Sequence, residues 1–385
     1  MEKILVIHNK YRLTGGEDIA VTNEVNVLKK HFNVKVLYFD NKITNYFLQS
    51  IFFLSNKNYE SIKKIRKEVK SFNPDVIYIH NTWFKVSPGI FSEIHKTGHP
   101  IILKIHNYRF NCTKHIFAKK HFNKNDLCKG CGFNRTDMGI FNKYFPNSYI
   151  QSLLVIIYGI KFFKILKNTK LKILTLTNFQ KNYLINSGIS EEKIFVHRNI
   201  LDNRILDFQS STSNQKYIVY AGRISREKGV EQLINAFQKS DLNNYFEFKI
   251  IGDGPELKNL RERFSSSNIK FLGQLSNEKT LQTISNSTAV VTATNLYEGQ
   301  PTLLCEASVM GIPSVFPINK GISEFFPKNY ELTFDLKNEI STVSILNKLA
   351  QINLIEVGKS NQNFINTIIN EDAFIKNFKN IINSN

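Results

Sequence analysis

Two glutamates, Glu298 and Glu306, stand with seven residues between them in YEGQPTLLCEASVMGIPSV, residues 297–315. Gly299 and Pro301 suit a tight turn into a helix whose first turn begins at about Pro301. The first N–H groups of a helix lack intrahelical partners and carry the positive end of its dipole, so this turn is a ready site for a pyrophosphate. Glu306 lies four residues after Thr302 and shares its face. A carboxylate there repels phosphate but suits a pair of hydroxyls, as on a ribose. Glu298, on the loop before the helix, reaches hydroxyls on the far side. The two acids thus bracket a diphosphate, one for each sugar of a nucleotide-sugar.

Other segments supply the matching cations and glycines. YAGRISREKGVEQLINAF (220–237) reads as strand, basic turn and helix, with Arg223, Arg226 and Lys228 near the strand's C-terminal end. Ligands of open α/β sheets bind at that end. Arg223 offers a bidentate grip on a diphosphate and Lys228 a point charge. IIGDGPEL (250–257) brings Gly252 and Gly254 to the same edge, although as a motif it reads equally as a plain loop. In the first half, Gly15 and Gly16 follow the first strand and can bring backbone close to a bound group, or merely form a loop. His80 and His106 each follow a strand and precede Asn. His106 is placed to hydrogen-bond a sugar, whereas His80 reads as a structural histidine. CTKH-x12-CKGC spaces Cys112, His115, Cys128 and Cys131 as two knuckles of a structural zinc site, the alternative being free buried cysteines.

The elements that must position these residues follow from periodicity. Strand-length apolar runs occur at 3–9, 34–39, 75–81, 100–107, 172–178 and 193–199, and again at 217–223, 246–254, 269–273, 289–294 and 313–318. Their near-continuous Val, Ile and Leu, alternating with helical segments, predict parallel sheets covered on both faces. Two such series predict an α/β chain of two doubly wound, Rossmann-like domains. The first spans 1–200 and the second 217–368, joined by a polar linker at 201–216. A terminal helix at 369–385 can pack back toward the N-terminal domain.

Composition narrows the function classes. With 42% hydrophobic and 22% charged residues in 385, the chain is a folded protein large enough for two cores. The N-terminus MEKILVIHNK does not read as a signal peptide, and no run approaches a membrane span. Four cysteines make no disulfide framework, so a cytoplasmic setting is expected. Residues 1–200 hold 32 Lys and Arg against 13 Asp and Glu, while residues 201–385 hold 19 of each. The whole surplus of +19 therefore lies in the first half, which is expected to face an anionic surface. Two stretches there, 43–70 and 149–172, mix apolar and basic residues and read either as membrane-docking helices or as crossover helices packed on the sheet. A nucleic-acid binder would use the same charge, but no helix-turn-helix or RNA-binding signature accompanies it.

The order GR-x4-KG, GDGP and E-x7-E resembles the retaining glycosyltransferases of family 4, which have the GT-B fold with two Rossmann-like domains facing across a cleft. The resemblance covers nearly the whole chain and is strongest over 217–326. It implies transfer of a sugar from a nucleotide-sugar donor to a glycan acceptor, of lipid-pyrophosphate-linked type, in O-antigen or capsule synthesis at the inner face of the plasma membrane. It further implies that Arg223 and Lys228 contact the donor diphosphate, Glu298 the donor sugar and Glu306 the nucleoside ribose. Backbone at Gly299, Gln300, Pro301, Thr302 and Leu303 would meet the phosphates, and His106 matches the family's N-terminal histidine. The Gly15-Gly16 loop would face the donor. The family more often has Phe or Tyr where Gln300 stands, so donor preference does not transfer. Related transferases carry a further cysteine where this chain has Tyr144, which leaves His115 as the substitute zinc ligand. No Asp-x-Asp is present, and no cofactor is expected for catalysis. A nucleotide-sugar epimerase on the same fold is the rival reading.

Overall fold

Runs such as KILVIHN, whose residues Ile4–Asn9 are all buried, form strands because both faces meet helices. The computed structural model describes residues 1–11, 15–42, 45–108, 148–208, 216–264, 266–318 and 320–384. The chain divides into two compact units, Met1–Ile200 with Glu371–Asn385, and Leu201–Asn370. Each is a parallel sheet wrapped by helices.

In the N-terminal unit the strands are β1 (Lys3–Lys10), β2 (Asn33–Asp40), β3 (Val76–Asn81), β4 (Ile101–Lys104), β5 (Lys172–Thr175) and β6 (Ile194–Val196), in the order β2-β1-β3-β4-β5-β6. Its helices are α1 (Gly16–His31), α2 (Tyr46–Ser55), α3 (Tyr59–Phe72), α4 (Ile90–His95), α5 (Tyr149–Asn168) and α6 (Asn178–Asn186). α3 shows why these segments are helical. Asn58 caps it by accepting from the Ser61 N–H at 2.9 Å, and Ser61, Ile62, Ile65 and Val69 form its buried stripe. Asn73, with φ of +47°, ends it in the left-handed conformation.

The C-terminal unit contains β7 (Tyr217–Ala221), β8 (Glu247–Ile251), β9 (Ile269–Gly273), β10 (Ala289–Val291), β11 (Ser314–Pro317) and β12 (Thr333–Phe334), in the order β12-β11-β10-β7-β8-β9. The helices are α7 (Val230–Lys239), α8 (Leu257–Arg263), α9 (Asn277–Ser285), α10 (Thr302–Val309), α11 (Lys320–Ser323), α12 (Glu339–Lys348) and α13 (Leu354–Ile368). The helix α14 (Glu371–Asn383) belongs to the N-terminal unit, where Phe378 packs edge-on against Phe32 at 6.0 Å and lies 5.1 Å from Tyr78. An ion pair of 2.7 Å between Lys30 and Glu371 ties down its first turn.

The structure departs from the sequence reading in the linker, at the strand ends and in the added strand β12. Asn203–Asp207, within the expected linker, form a 3-10 turn of the C-terminal unit, capped by Asp202 accepting from the Arg204 N–H at 3.0 Å. Several strands also stop earlier than their apolar runs. β4 ends at Lys104 rather than 107, so His106 sits on a loop beyond the sheet edge.

Candidate active site

A doubly wound sheet binds ligands beyond the C-terminal ends of its strands, where neighbouring strands send their chains in opposite directions. In the C-terminal unit that switch point lies between β7 and β10. The loops after these two strands are the ones that carry Arg223, Lys228 and Glu298. They are held together by backbone, with the Asn295 N–H donating to the Glu227 carbonyl at 2.9 Å. A Cβ on Gly229, whose φ is +67°, would lie 2.2 Å from the Ala293 carbonyl oxygen. The loop after β8 closes on the same edge, and the Ile224 N–H donates to the Asp253 carbonyl at 2.9 Å. Gly252 and Gly254 make that approach possible, because a Cβ on either would meet the β7 loop, 1.9 Å from the Gly222 oxygen and 2.2 Å from that of Ile224. Their role within the fold is close packing of one loop on another.

Across the switch point, Lys228 Nζ meets Glu298 Oε1 at 2.6 Å, both side chains partly buried. Thr294, which the motif reading missed, donates its hydroxyl to the same carboxylate oxygen at 3.0 Å. Arg223 is exposed, and its carbonyl accepts the Tyr220 hydroxyl at 2.8 Å. Burial, with the charges of Glu298 and Glu227, holds that tyrosine above its ordinary pKa. α10 begins at Thr302 behind Pro301, and no side chain caps it. Its first turn therefore offers N–H groups to an anion. Glu306, one turn later, is pushed up to about 7, first by its burial and then by the charge of Asp202. Asp202 itself is held below the ordinary carboxylate range by hydrogen bonds from Arg204, including Nε to Oδ2 at 3.0 Å. Neither Asp202 nor Arg204 carries a signal in the sequence, since both lie in the polar linker segment.

The N-terminal unit has its own switch point, between β1 and β3. Gly15 caps α1 there, and its N–H donates to Asp18 Oδ2 at 3.0 Å. No described atom lies within 4 Å of a Cβ built on Gly15 or Gly16, so packing against the described residues does not require either glycine. Asp18 also pairs with His8 at 2.8 Å, and Glu17 accepts from Tyr11 at 2.8 Å and from Asn107 at 3.0 Å. His106 and His80 prove to be partners, with His80 Nδ1 3.0 Å from His106 Nε2. Beneath them lies a fully buried ion pair between Lys104 and Glu24, to which the Tyr78 hydroxyl donates at 2.8 Å. Burial, with nearby positive charge, pushes both histidines well below their ordinary pKa, so both rings are neutral. Cys112, His115, Cys128, Cys131 and Tyr144 lie outside the described residues.

Residues 202–368 match the family model described as glycosyl transferases group 1. The amylovoran biosynthesis glycosyltransferase AmsD of Erwinia amylovora is 26% identical over 184 residues, 45% of this chain and 51% of that protein, so the match spans about half the relative's length. HepE of Anabaena, solved with UDP and glucose, superposes over the whole of both chains with a TM-score of 0.70 at 15% identity. Sucrose-phosphate synthase of Thermosynechococcus elongatus gives a TM-score of 0.71 at 13% identity over 99% of this chain and 98% of its own. The galactosyltransferase WaaB of the lipopolysaccharide outer core gives 0.64 at 16% identity over 99% of both. The chain has the GT-B fold of two Rossmann-like domains, and nearly all of its C-terminal unit matches the glycosyl transferases group 1 model.

Proposed function

We propose that the protein is a retaining glycosyltransferase that moves a sugar from a nucleotide-sugar to a glycan acceptor during synthesis of a surface polysaccharide. The observation that carries this reading is the meeting of Lys228 and Glu298 across the β7/β10 switch point, beside the uncapped start of α10. Without a donor the two charges satisfy each other. A bound donor supplies each with a better partner, its diphosphate for Lys228 and its sugar hydroxyls for Glu298. Cleavage of the sugar–phosphate bond leaves negative charge on the diphosphate. Arg223, Lys228 and the α10 amides stabilise that charge most strongly in the transition state, which accelerates the reaction. These cations occupy the electrostatic role that a divalent ion plays elsewhere, so a chelator should leave turnover unchanged.

The first donors to test are UDP-sugars, because HepE was solved with UDP and with UDP-glucose. The polysaccharide context draws on the match to AmsD. The acceptor in this reading is lipid-pyrophosphate-linked and approaches the basic N-terminal unit, with the enzyme peripheral on the cytoplasmic face of the membrane. Supporting this, α2 bears no charged side chain and exposes Phe47, Leu48, Ile51 and Leu54 along one face. Among the described residues no helix is long and apolar enough to cross a membrane.

Thermal stabilisation by a panel of UDP-, GDP- and other nucleotide-sugars tests the assignment. At least one donor should raise the melting temperature of the wild type, and Arg223→Ala should reduce that shift. Equal shifts in both proteins would count against the diphosphate role of Arg223, and no shift with any donor would count against the function.

A further inference from the structure

The buried cluster under the N-terminal sheet edge dictates how His106 can hydrogen-bond. A neutral imidazole has one N–H and one bare nitrogen, so across the 3.0 Å contact one ring donates and the other accepts. The far side of His80 decides which. Its Nε2 is buried, makes no hydrogen bond among the described residues and lies 4.0 Å from Glu24 Oε2, too far to bond but close enough to feel its field. That oxygen accepts the Tyr78 hydroxyl at 2.8 Å, so it presents electron density whether the Lys104–Glu24 pair is ionic or has shared its proton. An N–H facing it is attracted, whereas a lone pair would be repelled, in a setting where low dielectric magnifies the difference. The other titratable neighbours of His80 are His8 at 6.2 Å between ring centroids, Tyr78 at 4.2 Å, Lys104 and His197, and none of them hydrogen-bonds its Nε2.

We propose that His80 is a positioning residue that holds His106 in a single tautomer, protonated on Nε2 and bare on Nδ1, so that the lone pair His106 can offer a ligand is that of Nδ1. His80 carries its proton on Nε2, toward Glu24. Its bare Nδ1 takes the hydrogen bond from His106 Nε2–H. His106 Nδ1 is buried and has no hydrogen-bond partner among the described residues. The ring lines a pocket in which the polar Tyr11, Glu17 and Asn107 stand beside the apolar Leu103, Ile105 and Phe162, a mixture that suits the hydroxyls and the C–H face of a sugar. The identity of the ligand as a sugar rests on the proposed function; the tautomer does not.

Nitrogen-15 spectroscopy of histidine-labelled protein reads the tautomer directly. His106 should show a pyrrole-type Nε2 and a pyridine-type Nδ1 in the wild type, and the same in His80→Gln, whose side-chain oxygen can accept the same bond. His80→Leu should lose the single tautomer. It should also lower kcat for transfer on the order of tenfold, as expected when a positioned hydrogen bond is lost, and leave donor affinity within about twofold because the donor sits on the other unit. A protonated Nδ1 in the wild type, or an unchanged tautomer in His80→Leu, would overturn the inference. Should His80→Leu fail to fold, the wild-type and His80→Gln spectra decide it. Absence of transfer by the wild type with every donor would overturn the proposed function while leaving the spectroscopic result to stand or fall alone.

Discussion

Glu306 lies on α10 with its carboxyl pushed up to about 7 by burial and then by the charge of Asp202. The raised value means that folding favours the protonated acid. As pH climbs from the ordinary carboxylate range through about 7, the folded state holds a proton that the unfolded state has lost, and stability falls. Glu306→Gln removes this penalty. The variant should therefore melt higher than the wild type at about pH 8, by an amount on the order of 2 kcal/mol, and match it at about pH 4. Thermal melts at the two pH values check this, and a lower melting temperature for the variant at the higher pH would refute it. Stability lost for a carboxylate in that position makes sense if the charge serves the ribose hydroxyls. The same substitution should then weaken nucleotide binding while it strengthens the fold.

At the scale of elements, two pairs of glycines that look alike in sequence behave differently. Gly252, with φ of +134°, presses on the Gly222 carbonyl, and an alanine there must displace backbone. Gly252→Ala should cost about 2 kcal/mol or more in urea unfolding. Gly16 opens α1 with no described atom near its missing Cβ, so Gly16→Ala should leave stability within about 0.5 kcal/mol while lowering transfer, if this loop meets the donor. For α2, replacing Phe47 and Leu54, which are 78% and 73% exposed, by Asp should release the protein from anionic phospholipid vesicles in a flotation assay. Retention of the double variant on the vesicles would assign the binding to another surface.

Most strands were legible because a strand buried on both faces must be apolar along nearly all of its length, as in VIYI of β3. β12 was not, since two residues, Thr333 and Phe334, carry no period. The order of the motifs pointed to Arg223, Lys228 and Glu298 because loop glycines and charges fall at fixed offsets from strand ends. Thr294 and Asp202 were invisible for the opposite reason. Asp202 acts on a carboxylate brought close only by folding, and Thr294, although four residues from Glu298, is an isolated hydroxyl that leaves no pattern. The His80–His106 contact likewise joins two strand ends 26 residues apart.

For the molecule as a whole, the division of charge complements the proposed division of labour. The neutral half carries the cation–acid pair at its switch point, and the half with all of the +19 surplus carries the exposed apolar helix face. Attraction to an anionic leaflet weakens as salt shortens the reach of exposed charges, so vesicle association should fall as ionic strength rises. Nucleotide binding on the C-terminal unit should depend on salt far less, because few charges are neutralised there. Equal salt dependence of the two would argue that nucleotide and vesicle engage the same basic surface.

A diphosphate held by the β7 loop and the start of α10 is the centre of the proposed function. Isothermal titration of UDP into the wild type and into the Arg223→Ala/Lys228→Ala double variant measures that directly. The expected result is saturable one-to-one binding by the wild type, weakened on the order of 100-fold in the variant as two charge-assisted contacts disappear. Binding of UDP to the folded variant as tightly as to the wild type would contradict it.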